Sequence, residues 1–297
     1  MSGFMSSTTA MTICKVNSTV KFTLDALRND TFTPDIDADG RRLGWVALGN
    51  PLDTDGFELA SVDGRYSGFS FRLDTRKASG AVIRLQLADA VREERASGKK
   101  VGNKRKKELK EAITAKLTAR AEFVPSVIDC IWDAEKGRLL IGSSAAKAVQ
   151  PVLDLFKTTF GMDAVPITPA GDMPRLFAAI LHGEGYPCEG YTLHPMGSAR
   201  LSAPEQAEEK SAVAVQNSLN AVAQALEEGM AIQKLHLMAT SASEPDWQVD
   251  FMLDSSLAVS GLRFPKAEKG MEEDGTFLLN ADICSRVADI VEGVALA

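Results

Sequence analysis

Little in this sequence offers a metal, a cofactor or a covalent cross-link a place to form. The four cysteines, Cys14, Cys130, Cys188 and Cys284, lie far apart, with no C-x-x-C pair and no histidine at zinc-ligand spacing. They read as free thiols of a reducing compartment. The three histidines, His182, His194 and His236, are isolated from one another, and no H-E-x-x-H is present. Neither the G-x-x-x-x-G-K-[ST] phosphate loop nor G-x-G-x-x-G occurs. No run approaches the roughly 18 apolar residues of a membrane span, and the opening MSGFMSSTTAMTICK lacks the basic end and apolar block of a secretory signal. The expectation is a cytoplasmic protein with no cofactor, no metal and no membrane partner.

What remains is ordinary globular composition. Of 297 residues, 45% are hydrophobic and 25% charged, enough for two domains or one elaborate fold. Two short segments imitate active motifs. Asp35 to Gly40, DIDADG, has the carboxylate spacing that opens a calcium loop, but its twelfth position is Val46 rather than a bidentate Glu, so it reads as an acidic turn. Ser144 to Lys147, SAAK, fits S-x-x-K without the S-D-N or K-T-G that accompany it in Ser nucleophiles, and Ser143 or Ser144 reads as a helix cap. The two N-x-S/T sequons, at Asn17 and Asn29, carry no weight without secretion. No constellation argues for an enzyme.

Charge is the informative quantity. The chain carries 33 basic against 40 acidic residues, a net of −7, yet Val91 to Arg120 holds eleven basic against four acidic, a local +7. Gly98 to Lys110, GKKVGNKRKKELK, is its densest part. Segregation of this kind argues about partners rather than fold, and a polyanion is the partner it fits. Lys and Arg supply phosphate contacts, whereas the segment has no aromatic residue to stack on exposed bases and no pattern for reading base edges. Duplex backbone is therefore favoured over single strands.

Periodicity outlines an α+β chain. Strands are expected at Thr12 to Phe22 and Leu43 to Leu48, a short helix at Leu24 to Asn29, and a hairpin over Phe57 to Arg76 about Asp63-Gly64. Ser79 opens a helix with Ile83, Leu87 and Val91 on one stripe, ending near Gly98. A second helix, Asn103 to Ala119, aligns Leu109, Ile113 and Leu117. A hairpin follows over Ser126 to Ser144, then helices at Ala145 to Phe160 and Pro174 to His182 with a strand between them. Ala203 to Gly229 reads as mostly helical, "IQKLHLMA" and "WQVDFMLDS" as paired strands, and Asp282 to Leu296 as the last helix. The expected architecture is mixed β-sheets with flanking helices and a protruding basic two-helix arm. It divides into a β-rich part (11–78), the arm (79–122), an α+β central region (123–190) and a C-terminal α+β region (191–297).

Several segments occur in an order similar to that of the recombination-associated protein RdgC family. They are "FTP" at Phe32, "LGWV" at Leu43, the basic "GKKVGNKRKKELKE", "ARAEF" at Ala119, "CIWDAEKGRLLIGSSAAKA", "VPI" at Val165, "GLRF" at Gly261 and the closing "FLLNADICSRVADIVEGV". The resemblance runs from about Met11 to Ala295. It implies a nucleoid-associated protein that binds double-stranded DNA without sequence preference and restrains the RecA recombinase. It further implies a horseshoe-shaped protomer whose homodimer closes a ring with a positive hole. DNA contacts then fall on Lys99, Lys100, Lys104, Arg105, Lys106, Lys107, Lys110, Lys116 and Arg120. Dimer contacts fall on Glu122, Phe123, Val215 and Gln216. Here the chain departs from the family, because Glu122 stands where the family's R-A-F has Phe and the aromatic is displaced to Phe123. The opening also differs: "MTICKVNS" replaces the family's W-F-K-N, with ten residues before it. The competing reading is a protein-interaction module in which the basic arm docks an acidic partner.

Overall fold

The computed structural model describes residues 3–17, 22–61, 63–183, 185–203, 212–266 and 272–296. These form twelve strands, six α-helices and one 3-10 helix. The strands join one antiparallel sheet in the order β2-β3-β4-β5-β1-β12-β11-β10-β8-β7, with β6 added to β1 and β9 to β8. In chain order they are β1 (Thr8–Val16), β2 (Arg42–Val46), β3 (Tyr66–Arg76), β4 (Phe123–Asp133), β5 (Arg138–Ile141), β6 (Ala164–Pro166), β7 (Tyr186–Cys188), β8 (Tyr191–Ser202), β9 (Ala212–Val215), β10 (Ala231–Ser241), β11 (Gln248–Asp254) and β12 (Val259–Arg263). The helices are α1 (Gly80–Ala96), α2 (Asn103–Arg120), α3 (Ala146–Phe160), α4 (Met173–His182), α5 (Leu219–Glu227) and α6 (Glu273–Ala295), with the 3-10 helix at Leu24–Asp30.

Two compact units divide the chain. The larger contains residues 1–30, 45–71 and 128–297, and the smaller residues 31–44 and 72–127. The larger unit owns the main core. Strand alternation supplies one wall, with Leu235, Leu237 and Ala239 of β10 buried opposite Val249, Phe251 and Leu253 of β11. Helix α6 supplies another: Phe277, Ala281, Cys284, Ala288, Val291 and Ala295 recur at alternating steps of four and three, and all are buried. Burying a side chain such as Phe277 contributes about 1.5–3 kcal/mol. Helix α4 starts where Asp172 accepts from the Arg175 N–H at 3.3 Å, and α5 where Ser218 accepts from Ala221 N–H at 3.2 Å. Helix α3 ends at Gly161, whose φ of 63° is open to glycine at little cost.

A buried ion network crosses this unit. Arg138, only 1% exposed, donates to Asp133 at 3.1 Å, to the Ser285 hydroxyl at 2.8 Å and to Asp289 at 2.8 Å, with Glu292 at 3.4 Å. Ser285 in turn donates to Asp133 at 2.6 Å. Burial works against the Arg138 charge, but the Asp289, Asp133 and Glu292 carboxylates outweigh it and hold the guanidinium pKa above its usual value. The network fastens α6 to the β4-β5 hairpin.

Most expected elements are present, and some differ. The segment read as mostly helical contains, among the described residues, the strand Ala212–Val215 paired to β8 and the helix Leu219–Glu227. Residues 204–211 of that segment lie outside the described residues. Only the second arm of the Phe57 to Arg76 hairpin is a strand; the first meets it through the single bridge Ala60↔Ser67. Neither Ser143 nor Ser144 caps α3, whose N-cap is Ala145, although the Ser143 hydroxyl accepts from the Ala145 N–H at 3.2 Å.

Candidate nucleic-acid interface

The smaller unit carries 17 basic and 10 acidic residues, a net of +7, which leaves 16 against 30, or −14, for the larger one. It comprises the beginning of β2, the end of β3, the beginning of β4, and the α1-α2 hairpin that connects β3 to β4. The residues of α1 that lose solvent only in part are Ile83, Leu87, Ala90, Val91 and Glu94. Those of α2 are Leu109, Ile113, Thr114, Leu117 and Thr118. No residue of either helix is fully buried. The hairpin is thus a layer of two helices zipped along one narrow apolar seam, with every cation left in water.

Its turn is built by backbone chemistry. Gly98 adopts a φ of 78°, which lets its N–H reach the Arg95 carbonyl and the Lys99 N–H reach the Glu94 carbonyl, both at 3.0 Å, a doubly bonded helix end. Lys99 and Lys100 follow, exposed, in the connection to α2. Arg105 then bridges the two helices: its Nε lies 3.0 Å from Glu94 Oε1, and a terminal nitrogen lies 3.0 Å from Glu108. Hydrogen bonding to Glu94, then to Glu108, raises the Arg105 pKa, and the same bond to Arg105 lowers that of Glu94.

The nine expected DNA contacts therefore divide. Arg105 is held by two carboxylates, and Lys107 lies 3.9 Å from Glu111. Lys99, Lys100, Lys104, Lys106, Lys110, Lys116 and Arg120 are exposed and have no ion-pair partner among the described residues. Of the expected dimer contacts, Glu122 is exposed and Phe123 half-buried at the start of β4; Val215 is half-buried against the main core and Gln216 exposed.

Two cations that the sequence did not single out stand beside them. The guanidinium carbons of Arg42 and Arg76 lie 3.9 Å and 4.6 Å from the centroid of the Phe123 ring. The available signal was the two-residue period of β3, which puts Arg72, Asp74 and Arg76 on one face.

Other candidates resolve more plainly. The carboxylate of Asp37 in DIDADG accepts from the N–H groups of Asp39 and Arg41 and from the Arg41 side chain, at 3.0, 2.7 and 3.0 Å. The loop is closed by its own arginine. Among the described residues no group of three or more His, Cys, Asp or Glu could hold a metal ion. Nor is any helix there long and apolar enough to cross a membrane. All four cysteines are free and buried.

A protein-family model described as "Putative exonuclease, RdgC" matches residues 11–278. The recombination-associated protein RdgC of Proteus mirabilis (strain HI4320) is 27% identical over 163 residues, 53% of this chain and 52% of that protein. The match thus spans about half the length of that curated relative.

Proposed function

Because this chain belongs to the RdgC family, we propose that it binds double-stranded DNA without sequence preference and modulates homologous recombination by occupying the duplex and limiting RecA access, as a ring-shaped homodimer associated with the nucleoid. The name of the Proteus mirabilis relative, recombination-associated protein, supports the process. The observation that carries the reading is the charge division between the two units, +7 against −14. An acidic protein with one basic unit attracts a phosphate backbone to that unit and repels it from the other.

The chemistry proposed is occupancy, with no bond broken. Cations that neutralise phosphates release counterions, so affinity falls steeply with salt. If the seven unpaired cations all reach phosphates, log K falls with log[salt] at a slope of about −6. The test is fluorescence anisotropy of a short labelled duplex. Lys104→Glu/Lys106→Glu/Lys107→Glu, with Arg105 kept because it fastens the hairpin, should abolish binding while circular dichroism is unchanged. Unchanged affinity refutes the reading. Incubating an end-labelled duplex with the protein and Mg²⁺ should leave its length intact, and progressive shortening would instead favour the exonuclease named in the family description.

A second reading is favoured by exposed Glu122, which sets a negative charge where the family has an aromatic ring-closing residue. In it the chain docks an acidic protein through α2 and has lost DNA. Light scattering separates the two: the first gives a dimer that gains the mass of a duplex, the second adds none.

A further inference from the structure

We infer that Arg42 and Arg76, stacked on Phe123, form a second binding site for backbone phosphate, built on strands rather than on the basic hairpin. The inference rests on the duplex-binding reading and extends it to residues outside the expected set. Two like charges converge on one ring here, and neither has a carboxylate within ion-pair distance among the described residues. The other strand and loop arginines of this unit differ. Arg72 is bonded by Asp74 at 2.8 Å, and Arg41 by Asp37 at 3.0 Å and Asp39 at 2.6 Å. The unit neutralises those arginines and leaves this pair positive.

The donors fit the same conclusion. The Nε atoms of Arg42 and Arg76 are both buried with no hydrogen-bond partner, so it is the terminal nitrogens that each can present to a ligand. Among the described residues the Arg42 side chain makes no hydrogen bond, and the Arg76 side chain makes one, from Nη1 to the Ala119 carbonyl at 3.0 Å. Stacking on an aromatic face uses the π side of a guanidinium and leaves its in-plane N–H fork for an oxyanion, the geometry in which Arg exceeds Lys. The Ala119 bond also fastens β3 to the last turn of α2, next in sequence to the exposed Arg120. Its residues sit on three neighbouring strands, β2, β3 and β4, and the ring fixes both side chains, so less rotamer freedom is lost on binding than for an exposed lysine. Phosphate is favoured over a protein carboxylate because the surrounding unit is net +7, which suits a polyanion.

The test compares the wild type with Arg42→Gln/Arg76→Gln by anisotropy of a labelled duplex across a sodium chloride series. Loss of two phosphate contacts should make the slope of log K against log[salt] shallower by about 2, with equal effect on unrelated duplex sequences. Arg42→Lys/Arg76→Lys keeps charge without the fork; it should keep the slope and bind more weakly, and it stands in if the Gln variant does not fold. Wild-type slope and affinity in the Gln variant, or in the Lys variant where the Gln variant does not fold, overturn the site. If the hairpin variant of the preceding section still loses binding, duplex binding itself survives that result. A variant that keeps DNA affinity but no longer self-associates in light scattering overturns it too, assigning the pair to a carboxylate of a second copy. A wild type that binds no duplex removes the duplex reading and the site together.

Discussion

Arg138 is the residue whose loss the larger unit should feel most. Replacing it with Met keeps much of its volume and removes the one cation bonded directly to Asp133, a residue with no exposed surface. Asp133 would keep the Ser285 hydroxyl at 2.6 Å, the Lys136 N–H at 3.2 Å and Arg65 no nearer than 3.9 Å. Asp289 and Glu292 are better insured, with Lys136 and Lys15 each at 3.4 Å. The damage therefore concentrates on one desolvated carboxylate. Stranding one partner of a buried pair costs about 3–5 kcal/mol, set against a typical total stability of about 5–15 kcal/mol. Urea unfolding followed by tryptophan fluorescence, to which Trp132 beside Asp133 on β4 contributes with Trp45 and Trp247, is the assay, since urea leaves ion pairs unscreened. With a slope of about 3 kcal/mol per molar, the midpoint should fall by about 1 M or more. Arg138→Met/Asp133→Asn removes the stranded charge and should recover part of the loss. A single-variant cost under about 1 kcal/mol, or a double variant no better than the single, refutes the reasoning.

Two further outcomes follow from burial. The thiols of Cys14 and Cys188 are pushed up to about 12 and about 11 by desolvation, and those of Cys130 and Cys284 are raised well above the usual value by the same cause. All four should therefore resist a thiol-disulfide probe such as DTNB in native buffer and react in denaturant; rapid reaction of any one in the native protein contradicts this. Burial also raises the Asp129 pKa, against the hydrogen bonds it accepts from Ser70 and from the Phe4 N–H, both at 2.8 Å. A carboxyl that holds its proton more tightly when folded adds stability below its unfolded pKa and loses that contribution as pH rises through the folded one. Asp129→Asn should abolish that fall in the pH-stability curve, and an unchanged curve counts against it.

Much of the hairpin was legible because it obeys local rules. The stripes Ile83, Leu87, Val91 and Leu109, Ile113, Leu117 read from spacing are the half-buried seam, and Gly98 supplies the left-handed turn between them. Strand β9 was hidden because Ala-rich composition favours helix and only pairing to β8 overrides it. The Arg42-Arg76-Phe123 cluster was hidden for another reason. Its members come from three separate strands, so no window of sequence contains it, and the period of β3 marks only the face that Arg76 shares with Arg72 and Asp74. Arg105 carries a second lesson: composition counts it as one more cation of the basic segment, and only the folded hairpin brings Glu94 and Glu108 to it.

The placing of β1 has a consequence in time. It is made well before its partners β5, β6 and β12, and the carbonyl of Phe4 just before it accepts from the Asn280 side chain 276 positions along at 2.7 Å. At about 5–20 residues per second of synthesis, β1 waits roughly a quarter of a minute to a minute before α6 emerges to cover the core. Until then Met11, Ile13 and Cys14 have no complete shelter. A nascent chain of this protein spends its youth as an open sheet edge, and its yield in cells should depend on what guards that edge during translation.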